Sequence, residues 1–228
     1  MTITRRPLAI TLMLALTLPM FFAVSGQSAE PDEPGVVRVA NLIYARNKSS
    51  QCFADHFLAD VEAETHVTTA RSFDAVHLES EELYDFPFAI MTGEGAFTLT
   101  PDQRENLRSY LTNGGFLVAS AGCSSQPWKS SFRREIARVF SDVALEPIPS
   151  DHAVFSTVYE IDELKTKRTN VTGELEGLIV DGRIVAIFSE QGLNDTANAG
   201  SNCCCCGGNE ITNARQMNVN LLTYALTH

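Results

Sequence analysis

Short apolar runs separated by amphipathic stretches restrict most strongly what this chain can fold into. VVRVANLIY (36–44), FAIMT (88–92) and FLVAS (116–120) are apolar along nearly their whole length. Such runs lack the every-other-residue alternation of a strand with one wet face, and suit strands covered on both sides. Helical patterns lie between them. Phe53, Phe57, Leu58 and Val61 recur at helical spacing from Gln51 to Glu64, which predicts an amphipathic helix. A short strand is expected near Ala75–Leu78. In TLTPDQRENLRSYLTNGG, Thr100 reads as the N-cap, Pro101 occupies the first turn, Gln103 completes a capping box and Gly114 supplies the stop. A further helix is expected from Phe132 to Phe140, and a last one capped by Asn213, with Met217, Leu221, Tyr224 and Ala225 facing inward.

Strands alternating with helices imply parallel βαβ units wound into one sheet with helices on both faces. LEGLIVDGRIVAIF (175–188) adds two strands around Asp181-Gly182, a strong short-range hairpin signal. The expectation is therefore an α/β, doubly wound, mostly parallel sheet of flavodoxin-like type with a C-terminal antiparallel hairpin.

Ahead of this region, Arg5 and Arg6 precede an apolar run from Leu8 to Val24, and small residues continue to Ala29. That layout predicts a secretory signal over 1–29, cut after Gly26 or Ala29. The competing reading is an uncleaved membrane anchor, since the run is nearly long enough to span. Residues 30–35 form a polar, proline-rich lead-in, and 36–228 read as a single domain. The whole chain carries 17 basic and 28 acidic residues, a net charge of −11. Without Arg5 and Arg6 the balance is 15 against 28, or −13. A chain so acidic repels phosphate backbones, so nucleic acid is excluded as a partner. A small molecule or a protein remains, with membrane contact only through an uncleaved leader. The expected location is periplasmic or secreted.

All six cysteines (Cys52, Cys123, Cys203, Cys204, Cys205, Cys206) lie beyond the leader. Each falls in a loop that follows a strand or opens a helix, where sites form in doubly wound sheets. Three chemistries are open to them. In an exported chain an even count reads as disulfides, the run 203–206 reaching Cys52 and Cys123. Thiolates also suit zinc, copper(I) or an iron–sulfur cluster, with His152 as a further ligand, although adjacent cysteines depart from the usual zinc spacing. Cys123, between Gly122 and Ser124 after FLVAS, also has the small neighbours of a nucleophile elbow. His152 would then be its base and Glu160 or Glu210 the orienting acid. Pro127 and a loop through Lys129 speak against that reading, by separating Cys123 from the next helix. Glu94, in TGEG after FAIMT, could polarise a substrate, and Arg133 with Arg134 could grip an anionic ligand.

The blocks FPFAIMTGEGAFTLTPDQRENLRSYLTNGGFLVASAG, SFRREIARVF and IPSDHAVF resemble a bacterial family described as domain of unknown function four-one-five-nine, from about Val36 to the C-terminus. The resemblance implies a fold similar to class I glutamine amidotransferase-like domains and an exported or membrane-associated protein; it implies no activity. Where such proteins carry acidic residues after the GGF strand, this one has Gly122-Cys123-Ser124, and CCCCGGNE lies outside the pattern. The expected function is ligand or partner binding on an amidotransferase-like scaffold, with the cysteine cluster at the carboxyl rim of the sheet. The alternative is a cysteine-dependent hydrolase or metalloenzyme using that rim.

Overall fold

β-Branched and apolar composition becomes extended backbone at each run named above. The computed structural model describes residues 2, 35–46, 52–168, 170–200, 203 and 208–228. The strands are β1 (Val36–Ile43), β2 (Thr68–His77), β3 (Phe88–Gly93), β4 (Phe116–Ala121), β5 (Leu145–Pro147), β6 (Leu164–Lys165), β7 (Thr172–Gly173), β8 (Leu175–Val180) and β9 (Arg183–Ser189). The helices are α1 (Phe57–Glu64), α2 (Pro101–Thr112), α3 (Gln126–Val139) and α4 (Ala214–Thr227). Seven strands form one sheet in the order β2-β1-β3-β4-β9-β8-β5, and β6 with β7 makes a separate antiparallel ribbon. From β2 through β9 the neighbours are parallel; β8 and β5 are added antiparallel.

β3 and β4 are buried at every position, as central strands covered on both faces must be. Alternation of side chains then sorts them by face. Ala89, Met91, Leu117 and Ala119 join residues of α2 and α3. Phe88, Ile90, Phe116 and Val118 join residues of α1 and α4. Phe88 and Phe116 sit opposite each other in register, rings stacked with centroids 5.7 Å apart. The hairpin forms where expected, with Asp181 and Gly182 both at positive φ, the backbone its tight turn requires.

The capping box of α2 forms in full, with Thr100 and Gln103 bonding each other's backbone. Elsewhere the element bounds differ from expectation for identifiable reasons. α3 starts at Gln126, not Phe132, because Pro127 sits in the first helical turn, where a missing N–H costs nothing. Helix from that point also stacks Trp128 on Phe132, centroids 5.4 Å apart. α1 starts at Phe57 because the chain before it is tied elsewhere: the Ala54 N–H donates to Asn194 O at 2.9 Å. Asn213 does not cap α4 with its side chain. Its amide instead accepts from Lys165 N and donates to Glu163 O, both at 2.9 Å, pinning the β6 segment. β2 begins at Thr68, earlier than the strand expected near Ala75.

Residues Glu33–His228 make one compact unit. No helix among the described residues is long and apolar enough to cross a membrane. Apart from residue 2, the expected leader falls outside the described residues, as does most of the lead-in.

Candidate functional site

The carboxyl ends of β1, β3, β4 and β9 share one rim of the sheet because these strands are parallel. The chain leaves β1 for α1 on one face and leaves β3 for α2 on the other, so the winding reverses between β1 and β3. Ligands of open α/β sheets occupy such a crevice.

Two of the cysteine loops meet at this rim. Cys52, after β1, is bonded to Cys203, 151 residues further on, with their Cα atoms 4.9 Å apart. Cys123 is disulfide-bonded as well, its partner lying outside the described residues. Gly208, two residues beyond the cysteine run, also comes to Cys123: a Cβ added to it would overlap the Cys123 carbonyl group. Only a glycine lets the two backbones approach so closely. Cys204, Cys205 and Cys206 fall outside the described residues.

Cys123 occupies a tight turn between β4 and α3 with φ 54° and ψ 25°, a left-handed conformation rare for non-glycine residues. Its Sγ is 2.9 Å from Glu94 Oε1, the carboxylate that follows β3. A disulfide sulfur has no proton to give, so in the oxidised protein this is a contact; a reduced Cys123 would donate to Glu94 there. Ser125 Oγ accepts from Gly95 N at 3.1 Å and holds the two loops together. The loop expected between Cys123 and the next helix is four residues shorter than a start after Lys129 would allow, since α3 begins at Gln126. Strand, turn and helix follow in the order a nucleophile elbow uses.

His152 does not join this rim. Its Nδ1 accepts from Val154 N at 3.2 Å, capping a short turn, and its ring packs against Tyr224. Tyr224 in turn lies against Phe116, the first residue of β4, which is the opposite edge from Cys123. Glu210 is also committed elsewhere, to Lys167 at 3.1 Å and to Thr196. Arg133 is engaged elsewhere: its guanidinium makes paired bonds to Glu176 at 2.5 and 2.7 Å, reaches Glu190 at 2.8 Å and lies over Phe188. Arg134 is held more loosely, donating to Phe97 O at 2.6 Å and to Glu135 at 3.4 Å.

Short polar residues fill the middle of the rim. Thr92, Ser120 and Asn194 are fully buried. Asn194 Nδ2 donates to Thr92 Oγ1 at 2.9 Å, Ser120 Oγ donates to Asn194 Oδ1, and Leu193 N donates to Ser120 Oγ at 2.8 Å. Gly192, at φ +99°, lets this loop pass so close that a Cβ would be 2.6 Å from Ala121 O. The network is neutral and mutually satisfied, so it closes the sheet end over β3 and β4 rather than opening it. Short polar residues at strand ends give no periodicity signal, which is why they were not legible beforehand. Among the described residues no group of three or more His, Cys, Asp or Glu side chains is disposed to hold a metal ion. Cys52 and Cys203 have spent their sulfurs on each other and cannot also serve zinc or an iron–sulfur cluster as thiolates.

The family described as Domain of unknown function (DUF4159) matches residues 38–226, and the chain belongs to it. No functionally curated protein matches the chain.

Proposed function

We propose that this DUF4159 domain is an exported ligand- or partner-binding module whose rim loops are tied by disulfides, built on a flavodoxin-like, class I glutamine amidotransferase-like scaffold. The observation that carries the reading is the Cys52–Cys203 bond, which joins the loop after β1 to the loop after β9 at the edge where such sheets bind ligands. Disulfides persist in oxidising compartments, which supports export and the predicted leader over 1–29. The strand order β2-β1-β3-β4-β9 follows the flavodoxin-like winding and supports the scaffold. Cys204, Cys205 and Cys206 are the cysteines left to pair with Cys123, so one of them would supply the rim's second fastening.

Peptide mass spectrometry of the purified chain, with and without reductant, tests this together with thiol titration. The expected result is a Cys52–Cys203 peptide and a second bridge from Cys123 into 204–206. Six titratable thiols in the native protein would refute it.

One observation favours a second reading, a cysteine-dependent hydrolase. Cys123 sits in a left-handed turn leading directly into α3, beside Glu94. This requires Cys123 to be released by reduction, and a hydrolytic activity that appears with reductant and disappears in Cys123→Ser.

A further inference from the structure

We infer that the crevice between the carboxyl ends of β1 and β3 binds a small ligand bearing an oxyanion, carboxylate or phosphate, through Arg46 and Arg134. The inference rests on reading the rim as a ligand surface and adds the place and the chemistry. A cavity of about 520 Å³ opens there, walled by Ala45 and Arg46 after β1, by residues 96–100 after β3, and by Arg134 of α3. That volume falls within the range of small-molecule sites. A cleft of 440 Å³ beside the C-terminal end of α3 lies toward the amino edge of the sheet, away from the rim.

The residues that wall this crevice include two arginines, Arg46 and Arg134, and no acidic side chain, in contrast to the acidic chain as a whole; the Glu135 cluster that holds Arg134 lies behind the wall. Glu135, 2 % exposed as a side chain, is the one carboxylate in a cluster with Arg104 at 2.8 Å, Arg134 at 3.4 Å and Arg138 at 2.7 Å. Three guanidinium groups against one buried carboxylate leave a surplus of positive charge, in a protein with 28 acidic and 17 basic residues. Arg46 adds to it from the facing wall; among the described residues it makes no ion pair. Arg134 is anchored through Nη2 and Nε, which orients the guanidinium and leaves Nη1 for a ligand. α2 begins at the same place, with Thr100 in the cavity wall, so the positive end of its dipole faces the space. Asp102, the acid of that first turn, is exposed and outside the wall. A planar guanidinium pair of this kind matches the two-oxygen edge of a carboxylate or phosphate.

The test is titration of inorganic phosphate, and separately of acetate, into the full oxidised chain, followed by ¹H–¹⁵N NMR. Saturable shifts are expected at the amides of Ala45 and of residues 96–99. Arg46→Ala, at an exposed position, and Arg134→Ala should each weaken binding about tenfold, the loss of one charge-assisted interaction. Arg134→Lys should recover only part of it. Arg133→Ala should bind as the parent does, because Arg133 is occupied by Glu176 and Glu190. Absence of saturable shifts with both anions overturns the inference, as does equal weakening by Arg133→Ala and Arg46→Ala, which would mark diffuse charge attraction. The disulfide map of the same sample is a separate reading: intact bridges with no anion bound sink this inference alone, and free thiols sink the tied-rim proposal alone.

Discussion

Tyr44 and Trp128, 84 residues apart in the chain, share a fully buried hydrogen bond: Trp128 Nε1 donates to Tyr44 OH at 2.7 Å, and that hydroxyl donates to Thr92 O at 2.9 Å. The pair joins the residue after β1, the end of β3 and the first turn of α3 directly beneath the rim. Burial pushes the Tyr44 phenol well above its ordinary value, the Trp128 bond offsetting only part of that. Tyr44→Phe leaves the indole N–H and a carbonyl unpaired in the core. A loss of about 1–3 kcal/mol is expected, measured by denaturant unfolding, with the Trp128 fluorescence changed in the folded state.

The Cys52–Cys203 bond closes a long loop, and cross-links stabilise chiefly by restricting the unfolded chain. Cys52→Ser or Cys203→Ser should lower stability by about 2–5 kcal/mol. The parent in reductant, which loses the Cys123 bridge as well, should fall at least as far. A parent unaffected by reductant would show the bond does not form.

Gly208→Ala places a methyl group on the Cys123 backbone, where no side-chain rotation can relieve the overlap. A cost of about 1–3 kcal/mol is expected, seen as a lowered denaturation midpoint. Gly200→Ala, which meets nothing within 4 Å and lies outside the left-handed region, is the comparison that carries neither overlap nor backbone strain.

Glu190 is pushed upward by burial, but its bonds to Arg133 and its attraction to Lys129 outweigh this and leave it below the usual carboxylate value. A lowered folded value means stability that is present above the ordinary carboxylate range and is lost as pH falls through the lowered one. Arg133→Ala should therefore cost about 1 kcal/mol at neutral pH, diminishing with added salt. It should also flatten the acid limb of the stability–pH curve.

Asp195 shows the opposite sign. Burial holds its carboxyl above the usual value despite bonds from Asn198 and the attraction of Arg215 and His56. A raised folded value penalises the fold as pH climbs past the ordinary carboxylate value. It also sits at φ 49°, a conformation asparagine tolerates well. Asp195→Asn should raise the melting temperature at pH 7 and leave it unchanged near pH 3. An equal rise at both would place the effect in the backbone alone.

The strands β1, β3, β4, β8 and β9, the two-sided burial of β3 and β4, the capped α2 and the Asp181-Gly182 hairpin could be read from residue order, because each depends on neighbours within one turn or one strand; the short β5, β6 and β7 could not. Apolar runs such as FAIMT declare burial wherever they go, and Thr100 with Gln103 closes its box without help from the rest of the chain. Which cysteine meets which, the withdrawal of His152 to the opposite edge, and the separation of Arg133 from Arg134 were decided by tertiary packing. Those outcomes depend on contacts between residues tens to more than a hundred positions apart, and their energies exist only once the sheet has set the distances. Pro127 shows the boundary between the two. Locally it reads as an interruption, but with Trp128 to be stacked on Phe132 and packed at a tilt against Phe188 it becomes the first turn of α3, and the buried aromatic surface outweighs the local preference.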